Sequence, residues 1–186
     1  MVYTSRSDFS GTETLVVTAN DNGFSGAGGA RTDTKNILIQ IAGSSSLDRW
    51  RTSYFSSTDL QDPTKEATLW GDLADPDNDG RNNLMEFALG LNPLGSEPQD
   101  TVLVSGTVNS GGNQYLTLTF NSRINEPLLQ YLVEVSADNA TWSTTAQRVS
   151  NTPINSDFER VTWQDTVPIT PQAARFIRLR VVKNGP

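Results

Sequence analysis

The sequence predicts a mainly β protein: an antiparallel β-sandwich preceded by a short helical connector and an N-terminal β-hairpin. Three observations predict it. Toward both ends of the chain, short runs alternate apolar with polar residues, the period-two signature of half-buried strands. Turn material rich in Gly, Asn and Ser separates those runs. Between them the spacing turns helical, with capping residues at its starts and Gly90 at its end. A chain of 186 residues can bury a real core, as one medium domain or two small ones.

Residues 1–43 hold two strand-like runs, "TLVVTAN" and "NILIQIA". Leu15, Val17 and Ala19 alternate in the first, and Ile37, Ile39 and Ile41 in the second. Two strands alone make a marginal domain. The zone therefore reads as the end of a sandwich whose start lies elsewhere, or as a hairpin packed on the next part of the chain, with the first favoured. An open strand edge there invites pairing with a neighbouring copy.

Residues 44–98 form the helical zone. "SSSLDRWRTSYF" offers Ser46 as N-cap and an apolar face of Leu47, Trp50 and Tyr54. "DPTKEATLWGDLA" starts with Asp62 as cap and Pro63 at the first helical position. "NNLMEFALG" reads as a short helix ended by Gly90, with Asn92-Pro93 blocking continuation. Residues 99–186 return to strands: "YLTLTF", "QYLVEV", "RVTW" and "FIRLRVV", with spacing that fits a small antiparallel sandwich.

Charge and composition remove whole classes of function. The net charge is −7 with no Lys/Arg cluster, which argues against nucleic acid or an anionic membrane as partner. No apolar run is long enough to insert in a bilayer. The absence of Cys and His removes disulfides, thiolate and imidazole metal sites, and the usual neutral-pH general base.

One run stands out: "DPDNDGRNNLMEF", Asp75 to Phe87. It fits the calcium-loop pattern D-x-[DN]-x-[DN]-G-x5-E of EF-hands. Asp75, Asp77 and Asp79 take the three alternate positions whose oxygens face inward, and Gly80 allows the sharp turn. Arg81 would contribute its backbone carbonyl and leave its side chain in water. Asn83 would bind directly or through water, and Glu86 would supply both oxygens. Four converging carboxylates repel one another without a cation. Calcium fits this all-oxygen cage better than magnesium, whose small octahedral shell keeps its waters. A single loop has no partner to open against, so the expected role is structural.

"DPDNDGRNNLMEFALGLNP" resembles a D-P-D-G-D-G-x-x-N-x-x-E-Y-A-L-G-x-D-P segment of large secreted proteins from Verrucomicrobia-type and related bacteria, itself related to thrombospondin type 3 repeats and dockerin loops. The resemblance covers residues 72–94 and implies a calcium site near the C-terminus, followed by a small β-domain. "YLVEVSADNATWS" and "RFIRLRVV" are similar in pattern to fibronectin type III-like modules. "TLVVTANDNGFSGAGGARTDTKNILIQI" resembles the last two strands of cadherin-like or Ig-like repeats. Asn20, Asp21 and Asn22 resemble the N-D-N of cadherin calcium linkers, without the further acidic residues those supply. Dockerins carry two loop-helix repeats where this chain has one.

Trp142 and Trp163 could stack on sugar rings if exposed or pack in the core, and the core is favoured for both. Trp50 and Trp70 are expected to pin the helical zone to a sheet. No nucleophile elbow, P-loop or hydrolase signature occurs. The "NAT" at Asn139 matches a glycosylation sequon that has no evident role. The expectation is a non-catalytic, calcium-stabilised module of a secreted or cell-surface bacterial protein, serving structure, display or adhesion, with its signal peptide outside this chain. Its partners would be other domains of the parent protein or neighbouring copies. A carbohydrate-binding module that takes polysaccharide, and a histidine-free hydrolase, are the alternatives.

Overall fold

The structure is a computed structural model that describes residues 11–23, 28–41, 45–170 and 174–184. Part of the Gly-rich turn after Asn22 and the boundary expected at residues 43/44 lie outside the described residues. Contacts divide the chain into two compact units, Met1–Arg49 and Trp50–Pro186.

In the first unit, β1 (Gly11–Asn20) pairs with β2 (Thr32–Ile41). The ladder is antiparallel and unbroken from Gly11 opposite Ile41 to Asn20 opposite Thr32. The register sets Leu15 against Ile37 and Thr14 against Leu38, so both faces carry apolar side chains. Val16, Val17, Ile37 and Leu38 are exposed.

The helical zone begins at α1 (Ser46–Tyr54). Its cap is Ser45 rather than Ser46. The Ser45 hydroxyl accepts the Asp48 N–H at 3.0 Å, and the Asp48 carboxylate accepts the Ser45 backbone N–H at 3.2 Å and its hydroxyl at 2.8 Å. That reciprocity is a capping box with aspartate as the acidic member, and it moves the helix start by one residue. A short α2 (Ser57–Leu60) comes next, capped by Ser56. Asp62 then caps the next piece and Pro63 opens it, as the sequence predicts. That piece is a 3₁₀ turn, Pro63–Lys65, leading into a π turn, Glu66–Trp70, which closes with the Gly71 N–H on the Glu66 carbonyl at 2.8 Å.

Helix α3 (Asn83–Leu89) is capped by the Asn82 side chain and ended by Gly90 at φ +76°. Six of its residues, among them Phe87 and Ala88 at 0% exposure, are buried. A turn of helix, α4 (Gln99–Val102), leads into the strands.

All sheets are antiparallel. One has four strands in the order β3-β4-β7-β6, formed by β3 (Val104–Ser110), β4 (Asn113–Arg123), β7 (Phe158–Ile169) and β6 (Gln147–Pro153). The other pairs β5 (Leu129–Ser136) with β8 (Phe176–Lys183). Leu118, Phe120 and Val161 of the first sheet share one core with Val133, Val135 and Leu179 of the second. The architecture is mainly β and consistent with a β-sandwich. The four expected strand runs lie in β4, β5, β7 and β8. Strands β3 and β6 are the outer strands of the larger sheet, and every residue of β6 is exposed. An edge strand with little to bury has no apolar alternation to reveal it.

Asp165 on β7 is fully buried and receives two hydrogen bonds from Arg175, at 2.7 and 2.9 Å. Among the described residues, no helix is long and apolar enough to cross a membrane.

Gly90 tests how α3 is placed. Its φ of +76° disfavours any side chain, and a Cβ there would lie 2.5 Å from the Phe158 ring. Gly90→Ala should therefore destabilise the protein by more than ~1 kcal/mol. Chemical denaturation should read this as a lower midpoint at unchanged slope.

Candidate metal centre

The aspartate loop is tied at its base by backbone. The Asn83 N–H reaches the Ala74 carbonyl at 2.8 Å, and the Leu84 N–H reaches that of Asp72 at 3.0 Å. Asn78 at φ +60° and Gly80 at φ +88° curl the chain between these ties. Each aspartate then uses one oxygen on the loop's own backbone. Asp75 accepts from Gly80 at 3.0 Å, Asp77 from Asp79 at 3.1 Å, and Asp79 from Arg81 at 2.9 Å. Their carboxylates come within 4.8 Å of one another.

The remaining oxygens decide what the loop can hold. Asp75 Oδ1 and Asp77 Oδ2 are buried without a hydrogen-bond partner. So are both oxygens of Glu86, a residue with no exposed surface, and Oδ1 of Asn83. The Asn83 amide nitrogen meanwhile donates to the carbonyls of Leu69 and Gly71, each at 2.8 Å. That double donation fixes which way the amide faces. Five buried acceptors without donors form a costly arrangement for a protein alone. They are also the donor set a hard cation requires.

Electrostatics points the same way. Burial is the main reason the Glu86 carboxyl is pushed up to about 8, with Asp77, Asp79 and Glu97 adding repulsion and Arg81 opposing it. Asp77 is also raised, again chiefly by burial.

Two features differ from the sequence reading. The Arg81 side chain does not face water; it is 4% exposed and pairs with the Asp79 carboxylate and with Glu97. A buried loop with excess negative charge draws in the nearest cation. The second is Glu97, whose carboxylate lies within 4.8 Å of those of Asp79 and Glu86. Eleven residues beyond Glu86, it falls outside any loop spacing rule. The charged residue at Arg81 was the available signal of a further acid opposite it.

The helix carrying Glu86 is fixed by its far end. The Phe87 carbonyl accepts from Arg123 Nε at 2.6 Å, and the Ala88 carbonyl from the Tyr131 hydroxyl at 2.8 Å. The Arg123 guanidinium lies over both the Phe87 ring and the Phe158 ring. The loop is held beside it by Asp72, which pairs with Arg51 and, at 3.2 Å, with Lys183. Trp50 has its ring contacts with Tyr54, Phe55 and Phe87, and Trp70 donates to the Asp62 carbonyl. These contacts lie within the helical zone, and the sheets are reached through Arg123 and Tyr131, through Lys183 on Asp72, and through Leu89 in the shared core.

The other candidates take structural places. The side chains of Asn20 and Asp21 accept backbone N–H groups of Asn22, Gly23 and Arg31, the behaviour of a polar turn. Trp163 packs against the core, and the Trp142 ring is covered by the Arg178 guanidinium at 3.9 Å. Asn139 sits at φ +58° in the turn organised by Asp138. A cavity of about 650 Å³ is lined by Trp70, Glu66, Arg51, Asp72 and Lys183 among others. Glu86 is not part of its lining.

Compared with family models, curated proteins and solved structures, the chain matches none.

The displaced Glu86 gives a pH signature. In the unfolded chain its carboxyl ionises near 4.5, and in the cation-free fold near 8. The folded form therefore holds the proton more tightly between these values, and stability must fall as pH rises through that window. Metal-stripped protein should melt several degrees lower at pH 8 than at pH 5. Glu134 and Asp138, whose carboxyls are lowered, act in the opposite sense and below that window. Glu86→Gln should flatten the slope; a slope unchanged by this variant would exclude Glu86 as its source.

Proposed function

We propose that the chain is a non-catalytic module whose helical segment is stabilised by calcium at Asp75, Asp77, Asp79, Asn83, Glu86 and the backbone carbonyl of Arg81. The observation that carries the reading is the set of buried, unpartnered oxygens on Asp75, Asp77, Asn83 and Glu86. Repulsion among these groups is removed by a divalent ion, and its binding free energy becomes folding free energy. Oxygen-only donors favour a hard cation, and the number of donors favours calcium over magnesium.

The resemblance of residues 72–94 to the thrombospondin type 3-like and dockerin-like loops of secreted bacterial proteins supports an extracellular or cell-surface setting. There a single site of about 10⁻⁴ to 10⁻³ M would stay filled. The module would then serve structure, display or adhesion within a larger surface protein. The sandwich would be of fibronectin type III-like or Ig-like type, and the loop with its flanking helices an EF-hand-like connector. The two-stranded β1-β2 sheet, with its outer edges unpaired among the described residues, supports strand pairing with a neighbouring copy or domain.

The carbohydrate-binding alternative has less support. It needs an open aromatic row, whereas Trp142 is covered and Trp163 is partly buried. The hydrolase alternative needs a displaced carboxylate in a cavity. Asp72 in the 650 Å³ cavity is neutralised by Arg51 and Lys183, and Glu86 lies elsewhere.

Thermal melts of metal-stripped protein with calcium, magnesium or chelator test the proposal. Calcium at about a hundred times its dissociation constant should add roughly 2.7 kcal/mol, which at this size is about 5 to 10 °C. Magnesium should add less, and Asp77→Ala should abolish the calcium rise. No rise with any cation would reduce the loop to an acidic turn.

A further inference from the structure

Cation binding at the loop leaves the Arg81 guanidinium and Glu97 without an assigned role. We infer that the acidic cluster has two compartments, and that the Arg81 guanidinium is the resident cation of the second. This rests on the calcium reading of the loop and deepens it.

The two compartments share Asp79. Asp75, Asp77 and Asp79 form one carboxylate triad, and Asp79, Glu86 and Glu97 form the other, each with ligand atoms within 4.8 Å. Here Glu86 has 0% exposure and both oxygens unpartnered, so its carboxyl must either keep its proton or meet a positive charge.

Arg81 is placed to supply part of that charge. One nitrogen, Nη2, reaches the Asp79 carboxylate, the Glu97 carbonyl at 2.8 Å and the Glu97 carboxylate at 3.4 Å. Its Nε and Nη1 are buried without acceptors. Hydrogen bonding therefore does not explain why the whole guanidinium is drawn inside; the charge does. A guanidinium stays protonated in any such site, so it cannot be discharged as a lysine could.

Glu97 is brought to the loop by the chain after α3. The Asn92 N–H donates to Glu97 Oε1 at 3.3 Å, across a turn in which the Gly95 N–H returns to the Asn92 carbonyl. Arg81 thus clasps the segment around Glu97 onto the loop without help from a divalent ion.

The guanidinium then acts in two directions. Arg81 holds part of the fold together without calcium, and it weakens calcium by neutralising Asp79 and repelling the ion across a short, poorly screened distance. Five carboxylates with one guanidinium make a moderate site; the same five without it make a strong one.

The test compares calcium titrations and chelator melts of the wild type, Arg81→Gln, Arg81→Lys and Glu97→Gln. Arg81→Gln should melt lower than wild type in chelator yet bind calcium roughly tenfold more tightly or better, with Arg81→Lys close to wild type. An Arg81→Gln protein that folds only with calcium is the same result in stronger form. Glu97→Gln should bind calcium several-fold more weakly. Wild-type binding with Arg81→Gln equal to or weaker than wild type overturns the inference and leaves the calcium site intact. Should Arg81→Gln fail to fold even with calcium, Glu97→Gln decides, and unchanged binding there overturns the inference. No calcium binding by any of the four proteins overturns the calcium reading as well.

Discussion

The attachment of α3 to the sheets is the constraint on which the rest of the site depends. A helix ends with carbonyls that have no intrahelical donor, and burying them unpaired is costly. Here the Glu86 carbonyl is taken by the N–H groups of Gly90 and Leu91. Those of Phe87 and Ala88 are taken by Arg123 and Tyr131. Arg123 also brings a positive charge to the negative end of the helix. The Tyr131 hydroxyl accepts the Arg123 N–H at 2.9 Å, so the two anchors brace each other. The strand ladders thereby position Glu86, which immediately precedes the anchored carbonyls.

A fixed Glu86 creates the electrostatic problem of the loop. A mobile carboxylate could turn to water; this one cannot, because its helix is anchored and its side chain has no exposed surface. The loop answers with backbone donors on one oxygen of each aspartate and with Arg81 on Asp79. The oxygens that remain are those a cation would take. Rigidity of the β part and demand for positive charge in the loop are therefore one property seen from two ends.

How much of this was legible in the sequence depended on whether the cause was local. Asp62 and Pro63, Asn92-Pro93 and Gly90 act within a few residues of themselves, and each marks the end it was expected to mark. The cap at Ser45 rather than Ser46 shows the limit of local reading in a run of three serines, where only the bond to Asp48 distinguishes them. The aspartate spacing likewise encodes its own turn. Glu97, Arg123 and Tyr131 reach the same helix and loop from further along the chain, so no window of sequence joins them. Strands β3 and β6 escaped for the converse reason: their ladders satisfy backbone groups while their side chains bury little.

Asn83 shows how the loop communicates with the rest of the helical zone. Its amide has two sides with opposite needs. The nitrogen holds the carbonyls of Leu69 and Gly71 at the end of the π turn, where five-residue spacing leaves carbonyls poorly served by the helix itself. The oxygen remains unpartnered among the carboxylates. A cation polarising that oxygen would strengthen both N–H donations, since an amide drawn at one end donates better at the other. An aspartate at this position would add charge to the cluster and lose both donors. The asparagine would thus serve a cation and the π turn together, and its bond to Gly71 ties the loop to the wall of the Trp70 cavity.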